Sequence, residues 1–291
     1  MMRLTPHAQL GTEEFRLLRD RVYEYAGLHY DDDAMFLFER RLVDRVEALG
    51  LDDFYSYYKY LRFDPRGATE IEEAVERLTT KETYFFRQEY QLRAFRDQLL
   101  PELKEVNEKR QRLGIWSAGC ATGEEAYTIA ILLLESGLFE GWDLKVLGSD
   151  LCRGSVAAAR RGVYREAAFR TTPAEIRARY FTQERQGAEV APAVKKICHF
   201  GQLNLMEGGR NLMVGQVDVI FCRNVLIYFD MKSRRRVIDG FYDRLVPGGY
   251  LLLGHSESLI NVSTAFELVH LREDLVYRKP RASERFNGAI R

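Results

Sequence analysis

Three groups of residues in this 291-residue chain have the types and spacing to do chemistry. The first is Gly119-Cys120-Ala121-Thr122-Gly123-Glu124-Glu125, a glycine turn that leads out of the strand-like stretch beginning at Ile115 and into a helical pattern. Glycines let a ligand approach the backbone closely. A second strand-like run, Lys145-Val146-Leu147-Gly148-Ser149, ends on Asp150. An acid at the tip of the neighbouring strand can accept hydrogen bonds from a ribose diol. Together these features point to a pocket for a nucleoside-containing cofactor. Dinucleotide sites place a pyrophosphate on the helix N-terminus. Here Glu124 and Glu125 stand in that first turn, where they suit the helix dipole but repel phosphate. A cofactor with cationic groups and no phosphate is favoured, and S-adenosylmethionine fits. The plain alternative is an ordinary α/β turn with capping glutamates.

The second group, Cys222-Arg223-Asn224, follows directly on Gln216–Cys222, a β-rich and almost continuously apolar run that reads as a buried central strand. Ligands of open α/β sheets bind at that end of the strands. The third group, Thr79-Thr80-Lys81-Glu82-Thr83-Tyr84-Phe85-Phe86-Arg87, could be a helix cap, which would explain the threonines but not Arg87 beside two phenylalanines. Asn204-Leu205 closes another short segment. His255-Ser256-Glu257 lacks the Gly-x-Ser-x-Gly elbow of an acyl-transferring hydrolase.

The elements that must position these groups are legible in outline. Residues 12 to about 77 read as helices, with Phe15, Leu18, Val22 and Tyr25, then Phe38, Leu42, Val46 and Leu49, at helical spacing. Gly27 and Gly50 stand where helices stop. The aromatic run Phe54–Tyr58 reads as a core-facing helix side, and Asp64-Pro65-Arg66-Gly67 opens a further helix. A long helix is expected from Gln88 to Arg112, interrupted near Pro101. From Ile115 strands and helices alternate: a helix over Glu124–Leu134, one over Ser155–Arg161, one over Lys232–Leu245 stopped by Pro247-Gly248-Gly249, then the strand Tyr250–Gly254. That rhythm specifies a mostly parallel sheet covered on both faces. Thr171–Ile176 reads as a capped short helix, and Val190–Phe200 as a strand or hairpin arm of an insertion.

Composition narrows the partners. The chain has 43 Lys/Arg against 43 Asp/Glu, which disfavours a phosphate-dominated nucleic-acid protein. The charge is uneven: residues 1–78 carry a net −6 and the remainder a net +6, a hint of an acidic substrate. Cys120, Cys152, Cys198 and Cys222 show no metal-ligand spacing, so no metal is expected and a reduced cytoplasmic chain is. The opening Met-Met-Arg-Leu-Thr-Pro-His lacks the apolar stretch of a signal peptide, and no run is long enough to insert in a membrane.

The three groups, together with Gly148-Ser149-Asp150, Asn204-Leu205, Phe221–Phe229 and Gly254-His255-Ser256-Glu257, occur in an order that closely resembles the CheR family of chemotaxis receptor methyltransferases, over about residues 12 to 280. The resemblance implies an all-α N-terminal domain (1–77) and a Rossmann-like methyltransferase domain (78–291) with a small β-subdomain inserted at about 163–200. It implies methyl transfer from S-adenosylmethionine, leaving S-adenosylhomocysteine, to glutamate side chains on a chemoreceptor's cytoplasmic helices. Cofactor contacts carry over to Thr83, Arg87, Glu125, Asp150, Asn204, Leu205, Arg223 and Asn224, with Gly119 in the turn. Lys81 stands where the family often has Asn. Arg87 and Tyr228 are the catalytic candidates, and Arg41 and Arg45 match the basic helix that meets the receptor. Tyr180-Phe181 to Asn204 is shorter than in enterobacterial members, whose insert grips a receptor-tail peptide, so tail tethering is not expected. At this level a methyltransferase acting on RNA or a small molecule, a cofactor-sensing adaptor and a nicotinamide dehydrogenase stay open as alternatives.

Overall fold

A computed structural model describes residues 8–207 and 214–281. The opening heptad read for a leader segment lies outside them. The described residues fall into two compact units: 8–80 with 228–233, and 81–207 and 214–227 with 234–281.

The first unit is helical: α1 Thr12–Ala26, α2 Met35–Ala48, α3 Phe54–Phe63 and α4 Gly67–Leu78. Apolar residues at helical spacing bury one stripe of each helix: Phe15, Leu18 and Val22 of α1, Phe38, Leu42 and Val46 of α2, Phe54 and Tyr57 of α3. Gly27 ends α1 in the left-handed region, where its N–H reaches Tyr23 O. Residues 228–233 join this unit through a bridge between Leu28 and Phe229 and a hydrogen bond from His29 N–H to Tyr228 O.

In the second unit, α5 Glu89–Ala94, a wide π turn Phe95–Leu99 and α6 Leu100–Asn107 run on continuously and stop short of Arg112. The interruption lies one turn ahead of Pro101. Proline cannot donate to the carbonyl four residues back and crowds it, and the π turn opens the ladder there. The main sheet comprises β1 Arg112–Ala118, β2 Asp143–Asp150, β6 Cys198–Gln202, β7 Val217–Cys222, β8 Leu245–Leu253, β9 Glu267–His270 and β10 Leu275–Arg278, in the order β6-β2-β1-β7-β8-β10-β9. The first five pair in parallel and the last two antiparallel. Helices α7 Glu124–Ser136, α8 Arg153–Arg161 and α11 Met231–Arg244 follow β1, β2 and β7. Both faces are covered: Phe221 meets Phe95 on one side, and Trp116 meets Phe241 on the other. Among the described residues no helix is long and apolar enough to cross a membrane.

The insertion is a three-stranded antiparallel sheet of β3 Val163–Tyr164, β5 Gly187–Val190 and β4 Phe181–Glu184, with α9 Ala174–Tyr180 between its first and second strands in sequence. It is fastened by the Phe85 ring, which sits among Tyr164, Phe169 and Phe181.

Four local expectations are corrected. Val190–Phe200 is no hairpin arm: β5 ends at Val190, α10 Pro192–Ile197 crosses over, and β6 joins the main sheet beside β2, as a parallel neighbour requires a crossover. Pro247-Gly248-Gly249 does not precede the last parallel strand but lies inside β8, at a register irregularity that tolerates a missing N–H and the positive φ of Gly248. Thr171 does not cap α9; Pro173 precedes that helix, and the Thr171 hydroxyl donates to Phe85 O. No helix starts at Thr79–Thr83: Thr79 caps the end of α4, and residues 80–84 form no helix or strand.

Candidate active site at the strand tips

The glycine turn between β1 and α7 takes left-handed backbone at Gly119 (φ 79°), Ala121 (φ 46°) and Gly123 (φ 97°). A Cβ at Gly119 would lie 2.5 Å from Val225 Cγ2, so glycine there is a steric as well as a conformational need. The amides of Gly119 and Cys120 both donate to Ser149 O, which ties the turn to the end of β2. One residue on, Asp150 spans the two loops. Its Oδ2 accepts from Ala121 N–H at 2.8 Å and its Oδ1 from Cys152 N–H at 2.9 Å. Burial pushes this carboxyl above its ordinary range, and the two amides and nearby Lys81 pull it back.

The two glutamates of the turn part company. Glu124 is buried, and its carboxylate accepts from the Thr122 hydroxyl at 2.7 Å. Glu125 faces the strand tips, taking a hydrogen bond from Ser117 Oγ at 2.7 Å and an ion pair with Arg223 at 3.3 Å. Burial raises Glu125 and lowers the Arg223 guanidinium, each countered by the other's charge. The Arg223 side chain is 2% exposed. Its Nη2 also donates to Arg87 O and to Gln88 Oε1 at 2.8 Å, so one guanidinium fastens the start of α5 to the glycine turn.

Asn224 follows in the left-handed region (φ 60°), held there by a carboxylate. Glu257 accepts from four backbone amides, those of Asn224, Val225, Leu226 and Gly254, at 2.7–2.9 Å. This carboxylate welds the exits of β7 and β8 together. Gln88, itself left-handed (φ 59°), adds a bond from its Nε2 side to His255 Nδ1 at 2.7 Å. On the far side, Leu203 N–H donates to Asp150 O, and Asn204 Oδ1 accepts from Met206 N–H. Asn204 and Leu205 are both buried.

The CheR methyltransferase SAM-binding domain model matches residues 81–275, and the CheR methyltransferase all-alpha domain model matches residues 13–79. The chain belongs to the CheR methyltransferase family. Among its relatives, "Chemotaxis protein methyltransferase 2" of Vibrio cholerae is 33% identical over 94% of this chain and 96% of its own. The "Chemotaxis protein methyltransferase" of Vibrio parahaemolyticus is 36% identical over 92% and 98%, and that of Salmonella typhimurium 34% over 92% and 91%.

The residues of this CheR chain suit the SAM cofactor of the family. Two polar atoms buried at the strand tips, Arg223 Nε and Asn224 Oδ1, have no hydrogen-bond partner among the described residues. An unpaired buried donor and acceptor beside a glycine cradle are what a polar ligand would satisfy. Of the residues expected from sequence, Gly119, Glu125, Asp150, Asn204, Leu205, Arg223 and Asn224 cluster along the tips of β1, β2 and β7. Arg87 is brought in through its carbonyl, while its guanidinium donates to Glu82 O at 2.8 Å and lies over the Tyr84 ring. Lys81 is exposed and Thr83 half-buried in the irregular segment before it. Tyr228 closes the short turn Leu226–Tyr228, 37% exposed, and groups with the helical unit.

Three contributors escaped the sequence reading: Ser117, Gln88 and Glu257. Glu257 belongs to the Gly254-His255-Ser256-Glu257 motif, but nothing in its sequence neighbours reveals that it collects four amides. The two arginines expected to meet the receptor differ in their surroundings. Arg45 is committed inside the helical unit, where Nε and Nη2 grip both oxygens of Glu70, which also accepts from the buried Tyr57 hydroxyl at 2.8 Å. A guanidinium so engaged is a structural tie. Arg41 is exposed and reaches the Arg77 carbonyl.

Proposed function

We propose that this CheR protein transfers a methyl group from S-adenosylmethionine to glutamate side chains of chemoreceptors, forming methyl esters that adjust receptor signalling. The observation that carries the reading is the family match running through both units. The strand-tip cluster is its physical counterpart. The cytoplasm is the proposed place of the reaction, in keeping with four buried cysteines that form no disulfide.

A glutamate carboxylate, with an ordinary pKa of about 4.3, is already ionised at neutral pH, so the protein needs no general base. The cofactor supplies a methyl group on a sulfonium, whose positive charge makes the departing sulfur a good leaving group. What the chain contributes is placement and exclusion of water, and alignment of that kind supplies roughly 7–11 kcal/mol. Asp150 holds the ribose hydroxyls, since each carboxylate oxygen accepts further bonds beyond the single amide it now takes. Asn204 reads the adenine edge. Leu205 forms an apolar wall, and Gly119, Thr83 and Lys81 line the entrance. Glu125 meets the cationic end of the cofactor, with Arg223 and Asn224 offering their unpaired buried atoms. Arg87 orients the incoming carboxylate. Tyr228, four residues along the chain from Asn224, is assigned the methyl-transfer face on the family resemblance alone.

The test is incubation with methyl-labelled cofactor and a chemoreceptor cytoplasmic fragment, followed by alkaline release of labelled methanol. Esters release it, whereas methylated amines and bases do not. Absence of released methanol from folded protein that binds S-adenosylhomocysteine would overturn the assignment.

A further inference from the structure

Residues 153–196 hold ten Lys/Arg against four Asp/Glu, a net +6 that accounts for the whole positive excess of residues 79–291. The stretch comprises α8, the inserted sheet, α9 and α10. Two of its four acids are neutralised locally, Glu166 by Arg177 and Glu189 by Lys195, both at 2.6 Å. Five of its cations, Arg153, Arg161, Arg165, Arg185 and Lys196, are exposed and face no carboxylate within ion-pair distance among the described residues.

The backbone brings four of these five together. Lys195 donates to Arg161 O at 2.8 Å, which sets Lys196 beside the end of α8. Tyr164 of β3 pairs with Ala188 of β5, and a Cβ on Gly187 would lie 3.5 Å from Arg165 N, so the β4–β5 turn carrying Arg185 lies against Arg165. The fifth, Arg153, opens α8 three residues after Asp150. The strip adjoins the active site at two further points: Tyr164 OH donates to Thr122 O of the glycine turn, and Arg170 stacks over Tyr84 and pairs with Glu82 of the segment leading to Arg87.

Exposed cations without local counter-charges are a standing field for an acidic partner. From this we infer that the strip along α8 and the inserted sheet is the docking surface for the carboxylate-bearing face of the protein substrate, and that it favours substrate whose target glutamates are still unesterified. The inference rests on the methyltransferase reading. Its second half follows from charge: each transfer converts a carboxylate to a neutral ester, so the face loses one negative charge per turnover and the attraction weakens as modification proceeds. Docking and product release are then coupled without a moving part.

The experiment compares the full chain with its Arg161→Glu/Arg165→Glu/Arg185→Glu variant. Methylation of a receptor cytoplasmic fragment is followed at about 0.05 M and about 0.3 M salt, where screening lengths differ about two-fold. For the parent, KM rises several-fold with salt. For the variant, KM at low salt is about ten-fold higher and nearly salt-independent. Its kcat and its calorimetric affinity for S-adenosylhomocysteine match the parent's, which shows that it is folded. Fluorescence anisotropy without cofactor should show the parent binding unmodified fragment more tightly than exhaustively methylated fragment, with the difference reduced in the variant. An unchanged KM and salt slope in the variant overturns the docking surface. Equal affinity of the parent for both fragments overturns the preference. Loss of retention on phosphatidylserine vesicles with unchanged KM reassigns the strip to a lipid surface and equally sinks the proposal. If the parent transfers no methyl, the functional reading fails, while the anisotropy measurement still decides the strip.

Discussion

The two units each contain an arginine–glutamate pair with one member buried, Glu70 in one and Arg223 in the other, and the pairs are built differently. In the helical unit, Arg45 grips Glu70 with two nitrogens while Tyr57 adds a third bond, and the guanidinium is held more firmly protonated than usual, chiefly by its hydrogen bond to Glu70. In the catalytic unit, Arg223 meets Glu125 through a single 3.3 Å contact, leaves Nε unpartnered and has its protonated form disfavoured by burial. A closed pair consumes its hydrogen-bonding capacity on the fold. An open pair retains capacity that a ligand can use, and the unliganded protein bears the cost.

The comparison can be broken most directly by removing the cations. Arg223→Met leaves Glu125 buried beside nothing that balances it, a change expected to lower stability by about 3–5 kcal/mol. It should also weaken cofactor binding severely, because the start of α5 is freed from the glycine turn. Arg45→Met should lower stability by a similar order yet leave S-adenosylhomocysteine affinity unchanged in calorimetry. Equal losses of affinity in both variants would erase the distinction. Next in size, Arg87→Ala should reduce methyl transfer by about 10²–10³-fold with little change in thermal stability, since the residue is engaged mainly through its carbonyl. Normal turnover of that variant, read as released methanol, removes Arg87 from the chemistry.

Asp150→Asn sharpens the contrast on a smaller scale. One of its two amide acceptors becomes an NH₂ group, and cofactor Kd should rise by about ten-fold or more, while kcat at saturation stays near the parent's. The smallest effect is the pH dependence. Asp150 and Glu125 are both raised by burial, so in the unliganded protein their contribution to stability is present below the ordinary carboxylate range and is lost as pH rises through their raised values. A ligand that donates hydroxyls to Asp150 favours its ionised form. Affinity should therefore fall several-fold on acidification through that window, with proton release on binding visible as buffer-dependent heats. At saturating cofactor and mildly alkaline pH, turnover should be flat, because no base of the protein is asked to titrate.

Sequence periodicity revealed the alternating core of the catalytic unit because its parallel strands are apolar throughout and its turns carry glycine. Val217–Cys222 and the Gly119–Gly123 turn needed nothing further. The β9–β10 hairpin was not legible: Glu267–His270 and Leu275–Arg278 are half-polar, and an antiparallel edge alternates with too few residues to stand out. Cys198–Gln202 was assigned to the insertion because an edge strand of five residues takes its identity from its partner β2, which lies about fifty residues earlier. In the site, Asp150 and Arg223 were legible because acids and guanidinia at strand exits are conspicuous. Gln88 and Glu257 were not: Gln88 meets Arg223 and His255 from left-handed backbone, and Glu257 collects amides around the left-handed Asn224.

The π turn at Phe95–Leu99 accommodates one residue more than an α-helical turn would. Deleting a single residue there could restore a regular helix, but it would swing everything on the N-terminal side by roughly 100° about the axis. Gln91, which now reaches Leu253 O and Asp274, would be carried off the sheet's rim, and Tyr90 and the Arg87 carbonyl with it. The extra residue thus acts as a phase setter between the apolar half of this rod and its polar head. Straightening the rod would preserve helicity while uncoupling the chemistry.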